Sequence, residues 1–411
     1  MSAAVGFTGD PDSLSALPPP PDMTGTFRPA GMNADGTMIA GNCMQNGAPG
    51  GAPVLWRKAD GTTALAMPPH ASWIRVVGVC ADGTAVVAAM DAPMGVEFVR
   101  WESGVAAPQN LGGGGVMAAL ALSCDGRVVV GSMGSAGAQR VPVTFDVDRG
   151  LVEVPHPVNA IRSECVGADR TGARVVVNCL LLTSVDRPFI YSTEEGLLDL
   201  WGIPADIPAT AGAISASGRY VAGSMGSPPE MIRPFRWSDA QGAAEMGTPW
   251  GDSDVFATHI SGDGSLIAGM RGPATASLAW VWTQAGGARD LAELLADRGV
   301  NTEGWTLESI GAVSRDGTVI AGVGTRYGYR GGWVATLASQ RCGAADLTGP
   351  GGWPGGDGAL TADDVVAFLN AFFTGDSAAD VASLGGTVRQ DGAITADDVA
   401  VFLAAFFAGC P

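Results

Sequence analysis

The chain has 411 residues, of which 46% are hydrophobic and 16% charged, and its formal net charge is −18. That apolar content excludes a disordered chain, and 61 Gly and 26 Pro without a Gly-x-y period exclude collagen and point to a turn-rich globular protein. With 41 acidic against 23 basic residues, a nucleic-acid partner held through phosphates is excluded as well.

No stretch approaches the roughly 20 apolar residues of a membrane-spanning helix; Val175 to Leu182, the longest run, is broken by Asn178. Met1-Ser2-Ala3-Ala4-Val5 has no basic segment leading into an apolar one, so no signal peptide is expected in these residues. Seven cysteines form no CxxC and no Cys/His set, which disfavours zinc.

From residue 32 onward one element recurs seven times: an apolar lead, a polar turn closed by Gly, then a β-branched run. The copies are Met32-Asn33-Ala34-Asp35-Gly36, Val79-Cys80-Ala81-Asp82-Gly83, Leu122-Ser123-Cys124-Asp125-Gly126 and the variant Asp169-Arg170-Thr171-Gly172. Ile214-Ser215-Ala216-Ser217-Gly218, Ile260-Ser261-Gly262-Asp263-Gly264 and Val313-Ser314-Arg315-Asp316-Gly317 complete the series. Asp-Gly between apolar strands predicts a hairpin with a primed turn, which needs the positive φ that Gly accepts. An aromatic strand follows, as in Phe98-Val99-Arg100-Trp101 or Phe235-Arg236-Trp237, and then an edge strand such as Gly196-Leu197-Leu198-Asp199-Leu200.

Turn glycines 43 to 53 residues apart match the period of a four-stranded blade. The expected fold is therefore mainly β, a seven-bladed β-propeller over residues 1–338. Its last copy stops at Gly332-Trp333-Val334-Ala335-Thr336-Leu337, so Ser13 to Leu17 should supply the missing outer strand and latch the ring. The pattern of Ile260 to Gly269 with Phe235-Arg236-Trp237 resembles the HAF-repeat family of secreted and cell-surface bacterial proteins. That resemblance implies the propeller and an extracellular or cell-surface location, but no single activity.

Past a linker at 339–344 the period changes. Ala345-Asp346-Leu347 to Phe373-Thr374-Gly375 is repeated 34 residues later as Ala379-Asp380-Val381 to Phe407-Ala408-Gly409. Thr361 and Thr395 stand three residues before Asp364 and Asp398, the capping-box spacing that starts a helix. Val365, Phe368, Leu369 and Phe372, with their twins Val399, Phe402, Leu403 and Phe406, form matching apolar stripes that should pack together. Cys342 and Cys410 bracket the two copies and are placed to close this module, 345–411, with a disulfide, which would mean an oxidising compartment.

The duplicated Asp-Gly-x-(Leu/Ile)-x-x-x-Asp, with Cys342 and Gly409-Cys410-Pro411 around it, is similar to the GC-type dockerin. The resemblance implies a small α-helical dockerin-like module, a cohesin-like partner and Ca²⁺ held by Asp357, Asp364, Asp391 and Asp398. Trp353 and Thr387 stand where an ordinary loop has its first Asp, so Asp346 and Asp380 could serve only through an enlarged loop. The competing reading makes these aspartates helix caps and turn residues.

For chemistry the chain offers three histidines, His70, His156 and His259, and no Gly-x-Ser-x-Gly, His-Glu-x-x-His or phosphate loop. His259 reads as a hydrogen-bonded core residue, and Gly112 to Gly115 as a loop. The recurrent turn aspartates Asp35, Asp82, Asp125, Asp263 and Asp316 read as turn chemistry, because catalysis needs one asymmetric cluster. Trp56, Trp101, Trp237 and Trp282 read as packing between blades. Cys165 and Cys179 flank one hairpin nearly symmetrically and should face each other across it.

Residues that break the repeat should gather on the rim opposite the Asp-Gly turns: Trp73, His156, Arg162, Trp201, Trp250, Asp252 and Tyr327 are the candidates, weighed against ordinary loop packing. Exposed aromatics with Asp and Arg suit a carbohydrate or protein ligand. The leading expectation is a non-catalytic secreted binding or scaffold protein. The alternative is a propeller polysaccharide hydrolase or lyase using Asp252 and Asp254 with His156.

Overall fold

The protein is described by a computed structural model of residues 12–408, apart from 45–50, 93–94, 106, 135–139, 228–230, 252, 274, 285, 338–344, 346, 350–352, 355–359, 361, 376–378, 384–386 and 389–392. The sequence expectations for Asp252, Asp346, Asp357, Asp391, Thr361, Cys342 and Cys410 fall outside the described residues. Contacts divide the chain into two compact units, Asp12–Thr336 and one that holds Leu337–Pro411.

The recurrent turn explains the first unit. In the copy at Ser314 the hydroxyl donates to Asp316 Oδ1 at 2.6 Å and accepts the Val319 N–H at 2.8 Å, while Asp316 Oδ1 accepts the Thr318 N–H at 3.0 Å. Ser123 with Asp125 and Ser261 with Asp263 repeat these bonds. Each buried serine thus caps the strand that follows, so the turn aspartates are structural.

The turn itself differs from the primed hairpin that Asp-Gly predicts. The Gly36 N–H donates to the Asn33 carbonyl at 3.2 Å and the Asn33 N–H to Met38 at 3.1 Å, so four residues span the strands. Positive φ occurs at the glycine (φ 68° at Gly36, 73° at Gly126) and not at the residues before it, which leaves an ordinary type I turn followed by a left-handed glycine. The aspartate side chain makes this longer turn preferable by bonding the N–H two residues on. Space selects glycine too: a Cβ at Gly172 would fall 2.6 Å from a Val128 methyl of the preceding blade.

Seven four-stranded blades follow from the seven turns. The first holds β2 (Thr26–Met32), β3 (Met38–Met44), β4 (Ala52–Arg57) and β5 (Gly61–Ala64). The second holds β6 (Ile74–Val79), β7 (Ala85–Ala92), β8 (Gly95–Glu102) and the start of β9 (Gln109–Leu122). The rest of β9 opens the third blade, continued by β10 (Val128–Met133), β11 (Val141–Asp146) and β12 (Gly150–Glu153). Two blades therefore share one seven-stranded sheet. Gly112 to Gly115 lies inside β9 and not in a loop: Gly112 and Gly113 take φ of 82° and 146°, a kink that shifts register without ending the strand.

The fourth blade is β13 (Ala160–Ala168), β14 (Arg174–Leu181), β15 (Asp186–Ser192) and β16 (Gly196–Asp199). The fifth is β17 (Ala209–Ile214), β18 (Tyr220–Met225), β19 (Arg233–Ser238) and β20 (Gly242–Glu245). The sixth is β21 (Val255–Ile260), β22 (Leu266–Arg271), β23 (Leu278–Thr283) and β24 (Gly287–Asp290), and a short helix α1 (Leu291–Asp297) follows it. The seventh joins β25 (Trp305–Val313), β26 (Val319–Arg326) and β27 (Tyr329–Thr336) to β1 (Ser13–Leu17). Pairing runs from Ser13↔Thr336 to Leu17↔Gly332, the latch that the sequence predicts.

Backbone bonds also link the turns around the axis. Ala34 N–H donates to Ala81 O, Ala81 to Cys124, Asp125 to Arg170, Arg170 to Ala216, Ser217 to Gly262, Gly262 to Arg315 and Arg315 back to Ala34, at 2.7 to 3.0 Å. Polar clamps join neighbouring blades lower down. Asn42 spans Ile74 O and the Val76 N–H, and Asn178 both donates to and accepts from the Ala211 backbone. Apolar faces close between blades, with Trp101, Phe98, Trp237 and Trp280 buried.

Cys165 stands opposite Val177 and Cys179 opposite Ser163, so these two are diagonal neighbours and not a facing pair. Cys43, Cys80, Cys124, Cys165 and Cys179 are all free thiols, and no disulfide forms among the described cysteines. Burial pushes the Cys179 thiol up to about 11. Among the described residues no helix is long and apolar enough to cross a membrane.

In the second unit, α2 (Ala362–Thr374) and α3 (Ala396–Ala408) pack through Phe368 and Phe402, whose rings stack at 4.1 Å. Two short strand pairs accompany them: β28 (Thr348–Gly349) with β29 (Trp353–Pro354), and β30 (Ala382–Ser383) with β31 (Thr387–Val388). Thr395 caps α3: its Oγ1 accepts the Asp397 N–H and its own N–H donates to Asp398 Oδ2 at 2.7 Å, a closed capping box.

Leu17 is buried against the first and last blades, so Leu17→Ala should lower the unfolding free energy by about 2–4 kcal/mol, as core leucine truncations do. Urea titration checks this; a loss under about 0.5 kcal/mol, the range of neutral surface changes, would mean that β1 does not latch the ring.

Candidate binding site at the channel mouth

The seven inner strands surround an axial channel. Two residues before each turn anchor stand Gly31, Gly78, Ala121, Gly167, Ala213 and Ala312, and in the sixth blade His259. Small residues are required because the strands crowd: a Cβ at Gly31 would lie 2.8 Å from Gly78 Cα, and one at Gly167 would lie 3.2 Å from an Ile214 methyl. These positions line a cavity of about 280 Å³ on the turn side, where Arg315 packs over Gly262.

Among these seven positions His259 is the one large polar side chain. Its Nδ1 lies 2.9 Å from Thr258 Oγ1. Burial pushes its pKa down to about 4, with a hydrogen bond to the Gly311 backbone working the other way. The imidazole is therefore neutral at pH 7. The sequence reading of a hydrogen-bonded inner-strand histidine holds, but the residue faces the channel as well as the core.

Toward the opposite rim the channel widens into a cavity of about 830 Å³, lined by Arg28, Asn42, Trp73, Arg75, Leu120 and His259 among others. Trp73 is held from behind by Asp91, whose Oδ1 accepts the Ser72 and Trp73 N–H groups at 2.7 and 2.9 Å. The Ser72 hydroxyl also bonds Asp91, and together these donors keep that carboxyl below its ordinary pKa. No carboxylate lines either cavity among the described residues.

Of the described rim residues that the sequence predicts, Trp73 lines the mouth, and His156, Arg162, Trp201, Trp250 and Tyr327 do not. Trp250 lies under the Arg271 guanidinium at 4.8 Å and edge-on to Trp280 at 6.1 Å, while Arg271 is held by a bidentate pair with Asp290. Tyr327, at φ 48°, packs on Gly304 and 5.7 Å from Arg326, which also lies over Trp305. His156 Nδ1 lies 3.4 Å from the Val154 carbonyl, and exposed Arg162 bridges Arg140 by backbone. Asp254 accepts the Ile232 N–H at 3.0 Å, a loop-holding role like that of Asp91.

Trp201 departs from the predicted rim. Its carbonyl accepts the Ala243 N–H and its ring lies over Gly242, so it packs on the outer strand of the next blade. The fourth strand of a blade swings toward its neighbour, which carries Trp201 to the perimeter. Missed by the sequence reading were Arg28 and Arg75, although aligning the copies on their turns places both five residues before Asn33 and Cys80.

In the second unit, Asp364 and Asp398 are fully buried and Asp380 nearly so. Asp398 Oδ1 accepts the Val381 and Ala382 N–H groups, and Oδ2 accepts the Thr395 N–H and hydroxyl. Burial would raise this carboxyl's pKa, yet the N–H donors hold it below the ordinary range. Asp364 repeats the arrangement, accepting the Leu347 N–H at 2.8 Å. With four donors on two oxygens, Asp398 fits the helix-start role; a cation there would have to displace them. Among the described residues no three acidic, His or Cys side chains converge as metal ligands.

No protein-family model and no curated protein matches this chain. Solved structures do resemble it. An oligogalacturonate lyase in complex with manganese superposes with a TM-score of 0.56 at 11% identity, over 79% of this chain and 93% of that one. The oligogalacturonate lyase of Vibrio parahaemolyticus gives 0.54 at 10% identity, over 79% and 93%. The β-propeller domain of the Trilobed protease of Pyrococcus furiosus gives 0.52 at 11% identity, over 76% and 96%. At these identities the likeness establishes the propeller fold. The protease domain is described as having an open velcro topology, whereas β1 closes the ring here.

Because His259 binds its proton more weakly folded than unfolded, the unfolded chain takes up more protons between about pH 4 and 6.5. Stability should therefore fall as pH drops through that window, and His259→Gln should flatten this part of the profile. An imidazole titration midpoint near 6.5 by NMR would contradict the neutral assignment.

Proposed function

We propose that the protein is a non-catalytic binding and scaffold protein of the extracellular space or cell surface, whose propeller takes a carbohydrate or protein ligand at the wide end of its channel. The observation that carries this reading is the 830 Å³ mouth, lined by the Trp73 indole and by Arg28 and Arg75, with no carboxylate in its lining among the described residues. Such a set can stack on a sugar ring or side chain and hydrogen-bond it, without the paired acids that hydrolysis of a glycosidic bond needs. Trp73→Ala should weaken retention on glycan arrays and in pull-downs by roughly tenfold or more. Unchanged retention would remove the mouth from consideration.

A second reading, a polysaccharide hydrolase or lyase, draws on one observation: neutral His259 inside the channel could accept a proton. The solved oligogalacturonate lyases share the fold, and their activity is theirs.

The second unit serves in this proposal as a docking tail for a cohesin-like partner. Supporting it is a duplicated apolar stripe left open on both helices, with Phe373 80% and Phe407 81% exposed beside Leu369 and Leu403. Monomers seldom leave matched aromatics bare. Calcium at Asp346, Asp357, Asp364, Asp380, Asp391 and Asp398 is part of the same proposal, in competition with the donors now on Asp398. Titration of the full chain with a cohesin, with calcium and with chelator, tests both. Phe373→Ser with Phe407→Ser should weaken binding about a hundredfold or more, and identical affinity with and without chelator would remove the ion.

A further inference from the structure

We infer that the channel mouth selects an anionic saccharide, whose carboxylate or sulfate groups are held by Arg28 and Arg75 together. The inference rests on the mouth being the binding site and adds the charge of what enters it.

Symmetry isolates the pair. Arg28 pairs across its hairpin with Asn42, and the same register position in the other inner strands holds Arg75, Ala118, Glu164, Thr210, Phe256 and Ser309. Only the first two blades are cationic there, and these blades are neighbours. Their inner strands run the same way and close to van der Waals contact at Gly31 and Gly78, three residues further along each strand. Arg28 and Arg75 therefore sit side by side at one depth, and both are exposed.

Charge sets the pair apart from the arginines that the fold holds in ion pairs. The chain carries 41 acidic against 23 basic residues, and Arg174, Arg187, Arg271 and Arg298 all hold carboxylates. Arg28 and Arg75 make no ion pair or side-chain hydrogen bond among the described residues, and no acidic residue lines their cavity. An anion entering between these neighbouring strands meets positive charge with no carboxylate competing in the cavity, and can accept bidentate hydrogen bonds from either guanidinium group.

The scaffold holds the pair in place. Asn42 Nδ2 donates to Ile74 O at 2.9 Å and its Oδ1 accepts the Val76 N–H at 2.9 Å, fixing the backbone on both sides of Arg75. Trp73, pinned by Asp91, supplies an apolar wall in the same cavity. An inorganic anion would use the arginines alone. A sugar bearing a charged group would use the indole for its ring and the guanidinium groups for its charge, which is the chemistry assembled here.

Calorimetry with the full-length chain tests this using three oligosaccharides of equal length: a polyuronate, a sulfated neutral sugar and the unmodified neutral sugar. At least one charged probe should bind, more weakly as salt rises, and the two charged arms identify carboxylate or sulfate as the group recognised. Arg28→Ala and Arg75→Ala should each cost about tenfold in affinity, the double variant should abolish binding, and all should keep the wild-type unfolding temperature. Equal binding of the neutral sugar, lost in Trp73→Ala but untouched by the double arginine variant, would overturn the anion inference and leave the mouth as the site. Failure of all three sugars to bind would overturn the inference and the carbohydrate reading together.

Discussion

Every other feature depends on closure of the ring. A four-stranded blade has two apolar faces, and each is covered only when another blade lies against it. The buried Phe98, Trp101, Trp237 and Trp280 mark those shared faces, and the seven backbone bonds that link one turn to the next run unbroken from Ala34 back to Ala34. Each such bond is worth about 1 kcal/mol net, and a gap in the circle would lose one of them together with the blade face beside it. Geometry at the axis follows from the same closure: two residues before the turn anchor six blades carry only Gly or Ala, so His259 is the exception at that position.

Much of this was legible because repetition averages out local ambiguity. The spacing of Gly36, Gly83, Gly126, Gly172, Gly218, Gly264 and Gly317 specified blade number, and the unfinished seventh copy pointed to Ser13–Leu17. Where reading failed, a single copy departed from the rest. Four glycines at Gly112 to Gly115 signal a loop by composition, yet strand pairing on both sides carried β9 through them. The helix α1 stands in one connection only, and its seven residues give too short a period to see. The Asp-Gly pair alone points to the wrong turn type, because the serine or asparagine two residues before it bonds the next strand and lengthens the turn.

The candidate site shows the converse rule. Of the rim aromatics found by their contrast with the repeat, Trp250 lies under Arg271, whereas Trp201 and Tyr327 rest on Gly242 and Gly304 and stay more than half exposed. Residues hidden inside the repeat line the channel instead: His259, Arg28 and Arg75 stand out from their equivalents when all seven copies are aligned on the turn. The tail gives the same lesson at smaller scale. Thr395 and Asp398 were recognisable as a helix start, but the reach of Asp398 to Val381 and Ala382 depends on how the segment before the helix folds back.

The latch also sets an order of events during synthesis. Ser13 and Thr336 are partners although they lie at opposite ends of the propeller sequence. On the ribosome the outer edge of β27 does not exist until nearly the whole ring has emerged, so the earliest strand must wait unpaired for the last one. Six blades can assemble in turn as they appear, each on its predecessor, while the N-terminal ribbon stays available to other chains. Crowded translation thus favours exchange of this one strand between molecules, and that vulnerability is the reverse side of a circle sealed by its own two ends.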